Sequence, residues 1–516
     1  MTFNSITFVI FFTVVSLLLL LTNKKTKIEK DKIIHIRHMI LLSAIYVFYG
    51  AWNWKCAFLM LGLTFIAYWS SARLDKTGNK IYLYVGIIFP LVILGIFKYF
   101  NFFIDSFSYV FGIESGSALN IILPVGISFY TFQSMSYTLD VYKKQIPCET
   151  SFMKVALYIA FFPQLVAGPI VKSKDFIHQL YEDRNINWEN FKTGIQIFVF
   201  GLFKKIVIAD NIAACVEAVF YLPEQYNALS IIMAVIGYSI QIYCDFSGYS
   251  DMAIGSAKIL GYDLMRNFNM PYVAKNISAF WKRWHISLST WLQEYLYISL
   301  GGNRKGEVRT YINLFLTMLI GGLWHGASWT FVVWGALHGV ALCIHKIWMK
   351  VTKHDKQYKG TVIGNIFSAI LTYVFVSFCW IFFRAGNFET AKDVILGILT
   401  WQDGVMYISF WTIFGIVCVL MATVVAYIRS LTKKTELQGF YMIVDLEKIY
   451  GLVIFFVALG ICRMFAYTGR CPFIYFQFYR HHYEAFDDPV HLKDVQGYFY
   501  ILSHNLNQFY LRGEQL

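Results

Sequence analysis

A histidine carries the first chemical clue in this chain. His325 stands in Gly321-Gly-Leu-Trp-His-Gly-Ala-Ser-Trp329, and from Tyr311 to His345 there is no Asp, Glu, Lys or Arg. An ionisable group inside such a run points to function, because lipid burial of it is costly. A neutral imidazole, with an ordinary pKa of about 6.5, can take a proton from a hydroxyl as it attacks a carbonyl and return it to a leaving group. One histidine within a membrane could therefore serve acyl transfer between a thioester on one side and an acceptor on the other. His285 lies 40 residues earlier, in Phe280-Trp-Lys-Arg-Trp-His-Ile-Ser-Leu-Ser289. There basic and aromatic residues mix as in an interfacial helix, and spacing alone does not say whether the two histidines meet.

Other chemistries lose their usual signatures. Gly248-Tyr-Ser-Asp-Met252 lacks the second glycine of a serine-hydrolase elbow. No Walker A loop, HExxH or dinucleotide glycine motif occurs. The nine cysteines are scattered without a CxxC pair, so neither a metal site nor a disulfide framework is expected. Asp245 and Asp251 close an apolar run in Gln241-Ile-Tyr-Cys-Asp-Phe-Ser-Gly-Tyr-Ser-Asp251 and need partners if buried.

The elements that position these residues read as membrane helices. Hydrophobic residues make up 57% of the chain, charged residues 15%, and mean hydropathy is +0.52; soluble domains carry about 25% charged residues. Uncharged runs span Phe3–Thr22, Met39–Trp54, Cys56–Ser71, Tyr82–Phe97, Ala118–Leu139, Val155–Val171, Ala228–Cys244, Thr361–Phe383, Val405–Tyr427 and Tyr450–Cys462. The fold expected is an all-α polytopic membrane protein of about eleven transmembrane helices, with re-entrant and interfacial helices besides.

The net charge of +13 sits in the connections, which excludes nucleic acid as a partner class and makes the bilayer the partner. Residues 23–38 and 72–80 are rich in Lys and Arg and flank a hairpin, so both face the cytoplasm and the N-terminus lies outside. A straight helix over Tyr311–His345 would be about 52 Å long, well beyond the ~30 Å hydrocarbon layer. It must bend, with Gly321, Gly322 and Gly326 offering the place, into a hairpin whose apex carries Trp324-His325-Gly326. The arm Tyr311–Gly322 reaches about 18 Å and puts the histidine near mid-bilayer. Breaks are also expected at Pro124-Val-Gly126 and Ala167-Gly-Pro169.

Several blocks together make the sequence resemble the membrane-bound O-acyltransferases, and among them the bacterial alginate O-acetyltransferase type. They are Pro163-Gln-Leu-Val-Ala-Gly-Pro-Ile170, Asp245-Phe-Ser-Gly-Tyr-Ser-Asp-Met-Ala-Ile-Gly255, Asn267-Phe-Asn-Met-Pro-Tyr272, Phe280–Ser289, Gly321–Trp329, Trp380-Ile-Phe-Phe-Arg384 and Phe473-Ile-Tyr-Phe-Gln-Phe478. The resemblance implies an enzyme of the bacterial plasma membrane that passes an acetyl group from acetyl-CoA, as substrate with no bound cofactor, to an extracellular or cell-wall polysaccharide, usually with an extracytoplasmic partner protein. It makes His325 the essential histidine and His285 the second one. A sister branch, which delivers D-alanine from a carrier protein to teichoic acid, shares both. A transporter and a non-enzymatic scaffold are the other classes to set against it.

Around the histidines, Lys282, Arg283 and Arg304 could meet the phosphates of coenzyme A, or anchor to anionic head groups. Asp245 could orient a histidine or pair with a base, and His338 in Trp334-Gly-Ala-Leu-His-Gly339 is read as packing or orienting. Residues 1–478 form one membrane domain on this reading. The tail 479–516, with His481, His482, His491 and His504, has no assigned role.

Overall fold

Short polar side chains set where many helices of this chain begin. The side chains of Asn53, Asn79, Asn187, Asn227, Ser328 and Thr361 each accept a hydrogen bond from a first-turn N–H, satisfying donors that lipid could not. The computed structural model describes residues 2–23, 30–113, 123–165, 168–352, 361–433, 437–467 and 473–474. The tail 479–516 lies outside them.

Along the chain run α1 (Ile6–Leu21), α2 (Lys30–Gly50), α3 (Trp54–Thr77), α4 (Lys80–Phe111), α5 (Ile127–Tyr142), α6 (Trp188–Phe203), α7 (Asp210–Tyr221) and α8 (Ala228–Ile259). They are followed by α9 (Ile286–Trp291), α10 (Glu307–His325), α11 (Trp329–Val351), α12 (Val362–Arg384), α13 (Phe410–Lys433) and α14 (Ile449–Met464). Among the described residues the architecture is helical throughout, apart from a single bridge between Tyr226 and Val405. Among the described residues, seven helices (α2, α3, α4, α8, α11, α12 and α13) are long and apolar enough to cross a membrane, while α1 and α14 are shorter apolar helices. The expected eleven is not reached on that criterion.

Two of the apolar runs explain part of the difference. Val155–Val171 folds into the short, buried helices Phe152–Ala160 and Phe162–Leu165. The run ending at Leu139 supplies α5, which starts after the predicted break at Gly126 and is sheathed by other helices: Ser128, Thr131, Gln133, Ser134, Ser136, Thr138 and Asp140 are all buried. The outer helices are the reverse. Ile363, Phe367, Leu371 and Val374 on α12 and Leu420, Met421, Val424 and Ile428 on α13 are exposed, an apolar surface suited to lipid chains.

Glycines let the inner helices touch backbone to backbone. A Cβ on Gly194 would lie 2.6 Å from the Gly255 carbonyl oxygen, and one on Gly201 2.5 Å from that of Gly248. Two glycines seven residues apart on α6 thus face two seven apart on α8, small-residue packing of the kind membrane helices use. Beyond α6, a π turn at Lys204–Ala209 continues the path into α7.

The predicted bend in Tyr311–His345 is present as the α10–α11 hairpin. The open ends of its arms are joined by Lys350 and Glu307, 2.7 Å apart. The bend itself lies at Gly326-Ala-Ser328, not at Gly321 and Gly322, which are inside α10. Gly322 serves contact instead: its Cβ would stand 2.4 Å from the Phe331 carbonyl oxygen and 2.9 Å from Gly335 Cα. Nineteen residues make α10 about 28 Å long. That exceeds the 18 Å arm read from the sequence, because the helix continues outward to Glu307 and inward to His325.

Candidate active site

His325 is the last residue of α10. The glycine that follows it permits the turn, since a Cβ on Gly326 would lie 2.2 Å from the Phe331 ring. Rings enclose the imidazole: Trp324 at 5.1 Å between centroids, Trp334 at 5.1 Å and Phe383 at 5.2 Å. His285 completes the wall at 6.5 Å, so the two histidines that sequence spacing left unrelated share one chamber.

His285 is held quite differently. Its φ of 43° lies in the left-handed region, which a non-glycine residue occupies only when its surroundings enforce it. They do so through Asn267. The Asn267 carbonyl accepts from Ile286 N at 2.9 Å, and its side-chain Oδ1 accepts from Ser287 N at 3.2 Å and Ser287 Oγ at 2.9 Å. Asn267 Nδ2 in turn donates to Ser250 Oγ, and Ile170 N donates to Ser287 Oγ. Four of the sequence blocks therefore converge on this turn.

The network also fixes a tautomer. Asn267 Oδ1, identified as oxygen by the backbone N–H it accepts from, lies 3.2 Å from His285 Nδ1. Nδ1 must then carry the proton, leaving a lone pair on Nε2. Nε2 is buried and has no hydrogen-bond partner among the described residues. The indole N–H groups of Trp334 and Trp380 and both nitrogens of His338 are likewise buried without partners there. A site built to receive a polar reactant has such unspent capacity.

His325 exposes 3% of its surface and His285 none. Both imidazoles are thus buried among the described residues.

The remaining candidates fall elsewhere. His338 packs among Trp334 at 4.8 Å, Trp281 at 5.1 Å and Phe375 at 5.8 Å, and the Trp334 ring touches both it and His325. Asp245 is paired with Lys205 at 2.5 Å and accepts from Ile474 N at 3.0 Å. Asn267 supplies the bond to His285 that Asp245 was considered for. Arg283 donates to the carbonyls of Asn269 and Leu437, and Lys282 and Arg304 are exposed.

Three contributors escaped sequence reasoning. Asn267 and Ser287 lay within noted blocks, yet nothing local distinguished them from other polar residues. Lys98 was read as the end of an apolar run, although an intramembrane lysine is itself a signal.

A helical membrane bundle with a buried, paired-histidine chamber agrees with what residues 40–383 match, the membrane-bound O-acyltransferase family. The chain belongs to that family and is an O-acyltransferase. It is 40% identical over 377 residues, 71% of each chain, to the "Probable alginate O-acetylase AlgI" of Pseudomonas aeruginosa. It is 39% identical over 389 residues, 70% of this chain and 73% of the relative, to the peptidoglycan O-acetyltransferase of Helicobacter pylori. The teichoic acid D-alanyltransferase of Bacillus subtilis is more distant, at 27% over 289 residues, covering 52% of this chain and 71% of the relative.

Proposed function

We propose that this chain moves acetyl groups from acetyl-CoA, on the cytoplasmic side of a bacterial plasma membrane, to hydroxyls of a polysaccharide outside, acting with an extracytoplasmic partner protein. The meeting of His285 and His325 in one chamber carries this reading. The greater similarity to alginate and peptidoglycan O-acetyltransferases supports acetyl over D-alanyl transfer.

In the reaction, an acceptor hydroxyl oxygen attacks the thioester carbonyl carbon while its proton passes to the His325 ring. The carbon–sulfur bond breaks, and the departing thiolate takes a proton back. His285 faces the donor and accepts through Nε2. Indole N–H groups such as that of Trp334 are donors of the kind that stabilise a developing oxyanion. The exposed Lys282 and Arg304 meet the coenzyme A phosphates, while Arg283, bound to the carbonyls of Asn269 and Leu437, ties those two backbone segments together. The basic segments 30–37 and 73–80, at the ends of the α2–α3 hairpin, support a cytoplasmic placement for those ends and an outside N-terminus.

Inside-out vesicles from cells carrying the chain enclose their own partners and polysaccharide and expose the cytoplasmic face to added radiolabelled acetyl-CoA. Label is expected in enclosed polysaccharide with the wild type and not with His325→Ala. Equal labelling by the variant overturns the role of His325. Labelling from D-alanyl carrier protein, with none from acetyl-CoA, overturns the acetyl reading.

A further inference from the structure

Between Lys80 and Asp105, the sequence of α4 holds one Lys, Arg, His, Asp or Glu, namely Lys98. Pro90 interrupts the helix, and a π turn follows at Gly95–Tyr99. π turns add a residue to a helix and often mark functional positions. Here Lys98 turns inward and is buried, while Ile96, Phe100 and Phe103 stay exposed.

The Lys98 Nζ donates to the carbonyl oxygen of Trp324, lies 3.4 Å from that of His325, and reaches Ser128 Oγ at 3.3 Å. The next side chain, Tyr99, donates its hydroxyl to the Leu323 carbonyl at 2.8 Å. These three carbonyls close α10, and the last carbonyls of a helix have no partner within it. Water is scarce in a membrane core, so side chains must supply the donors. Farther along α4, Ser106 Oγ accepts from Trp329 Nε1 at 3.1 Å, and the Phe102 ring packs 5.6 Å from that of Trp329. One helix thus grips both arms of the hairpin on either side of its bend.

We propose that Lys98 and Tyr99 are positioning residues for His325, a clamp that fixes where the end of α10 presents its imidazole. The inference rests on the reading of His325 as the base. Nζ can donate whether or not it is charged, so the clamp depends on donor geometry rather than on one protonation state. It acts through the backbone of the helix terminus and touches no reactant.

In the vesicle assay, Lys98→Met is expected to lower kcat about 100-fold, the scale of a 1 Å misplacement, with the KM for acetyl-CoA unchanged. Lys98→Arg keeps donors in reach and recovers much of the rate. Thermal unfolding in detergent identifies variants that remain folded. A folded Lys98→Met with wild-type kcat overturns the inference. Should Lys98→Met fail to insert, Tyr99→Phe decides: a several-fold fall in kcat at constant KM supports the clamp, and wild-type kcat overturns it. Carbethoxylation of His325 by diethyl pyrocarbonate, followed by mass spectrometry, reads ring placement without turnover. A several-fold faster modification in folded Lys98→Met is expected. If wild-type vesicles transfer no acetyl, the acetyl reading fails and the carbethoxylation rate decides the clamp alone, an unchanged rate overturning it.

Discussion

α8 separates two buried polar regions with opposite character. On one side Asp245 pairs with Lys205 and Asp251 with Lys204, whose Nζ also reaches Ser247 Oγ at 2.9 Å, while Tyr441 donates to Asp251 at 3.0 Å. On the other, Phe246 packs 4.7 Å from the His285 ring and Ser250 accepts from Asn267. Each of these acids has a basic partner and further hydrogen bonds. The chamber holds the His285 imidazole and the Trp334 indole, each with a buried nitrogen that has no hydrogen-bond partner among the described residues. Burial alone therefore does not distinguish the two regions; what differs is whether their buried polar atoms are paired. A closed ion network has little left to offer a substrate, whereas a lone pair held at a fixed angle can take a proton without reorganisation.

That contrast can be broken from either side. His325→Ala should lower acetyl transfer about 1,000-fold, within the range of general base catalysis, and leave thermal unfolding near wild type. Substantial transfer by this variant would move the chemistry out of the chamber. Asp245→Ala should do the opposite, destabilising the fold by about 1–3 kcal/mol, because it removes one of the two buried acids that Lys205 pairs with, Asp210 at 2.7 Å being the other, and the acceptor of Ile474 N. Unfolding in detergent measures this, and the protein that stays folded should turn over normally; a catalytic defect with intact stability would make the ion cluster part of the site. Asn267→Ala removes the acceptor that holds His285 Nδ1, and a fall of about 10- to 100-fold in initial rate is expected from the loosened ring. Smallest is the effect of Lys282→Ala or Arg304→Ala, which should raise the KM for acetyl-CoA by about 2- to 5-fold as single exposed charges do, with kcat unchanged. A fall in kcat instead would tie these side chains to the chamber rather than to the donor's phosphates.

Much of the hairpin around His325 was legible because its signals are local. Absent charge over a length no single span can hold, basic residues on both sides (Arg304, Lys305 and Arg309 before it, Lys346, Lys350 and Lys353 after it) and glycines near the middle require a bend whatever the rest of the fold does. The place of the bend was less legible. A glycine permits a break and permits close approach, and only the partner backbone, Gly335 against Gly322, shows which use prevails. Runs such as Val155–Val171 misled for a related reason, since burial among helices and burial in lipid favour the same apolar residues. Lys98 went unread because periodicity treats a lysine as the edge of a span, while its donors meet carbonyls 226 and 227 residues away.

By itself the sequence determined that this protein lives in a bilayer, that a histidine sits inside an uncharged run, and that its blocks are those of membrane acyltransferases. Composition and short-range pattern suffice for these, because they reflect what each segment does with its own backbone and its nearest solvent. Only the tertiary structure decided that His285 joins His325, that Asn267 sets its tautomer, and that Lys98 and Tyr99 close the helix bearing the base. Those depend on which side chains meet across packed helices, and such contacts leave no regular mark along the chain.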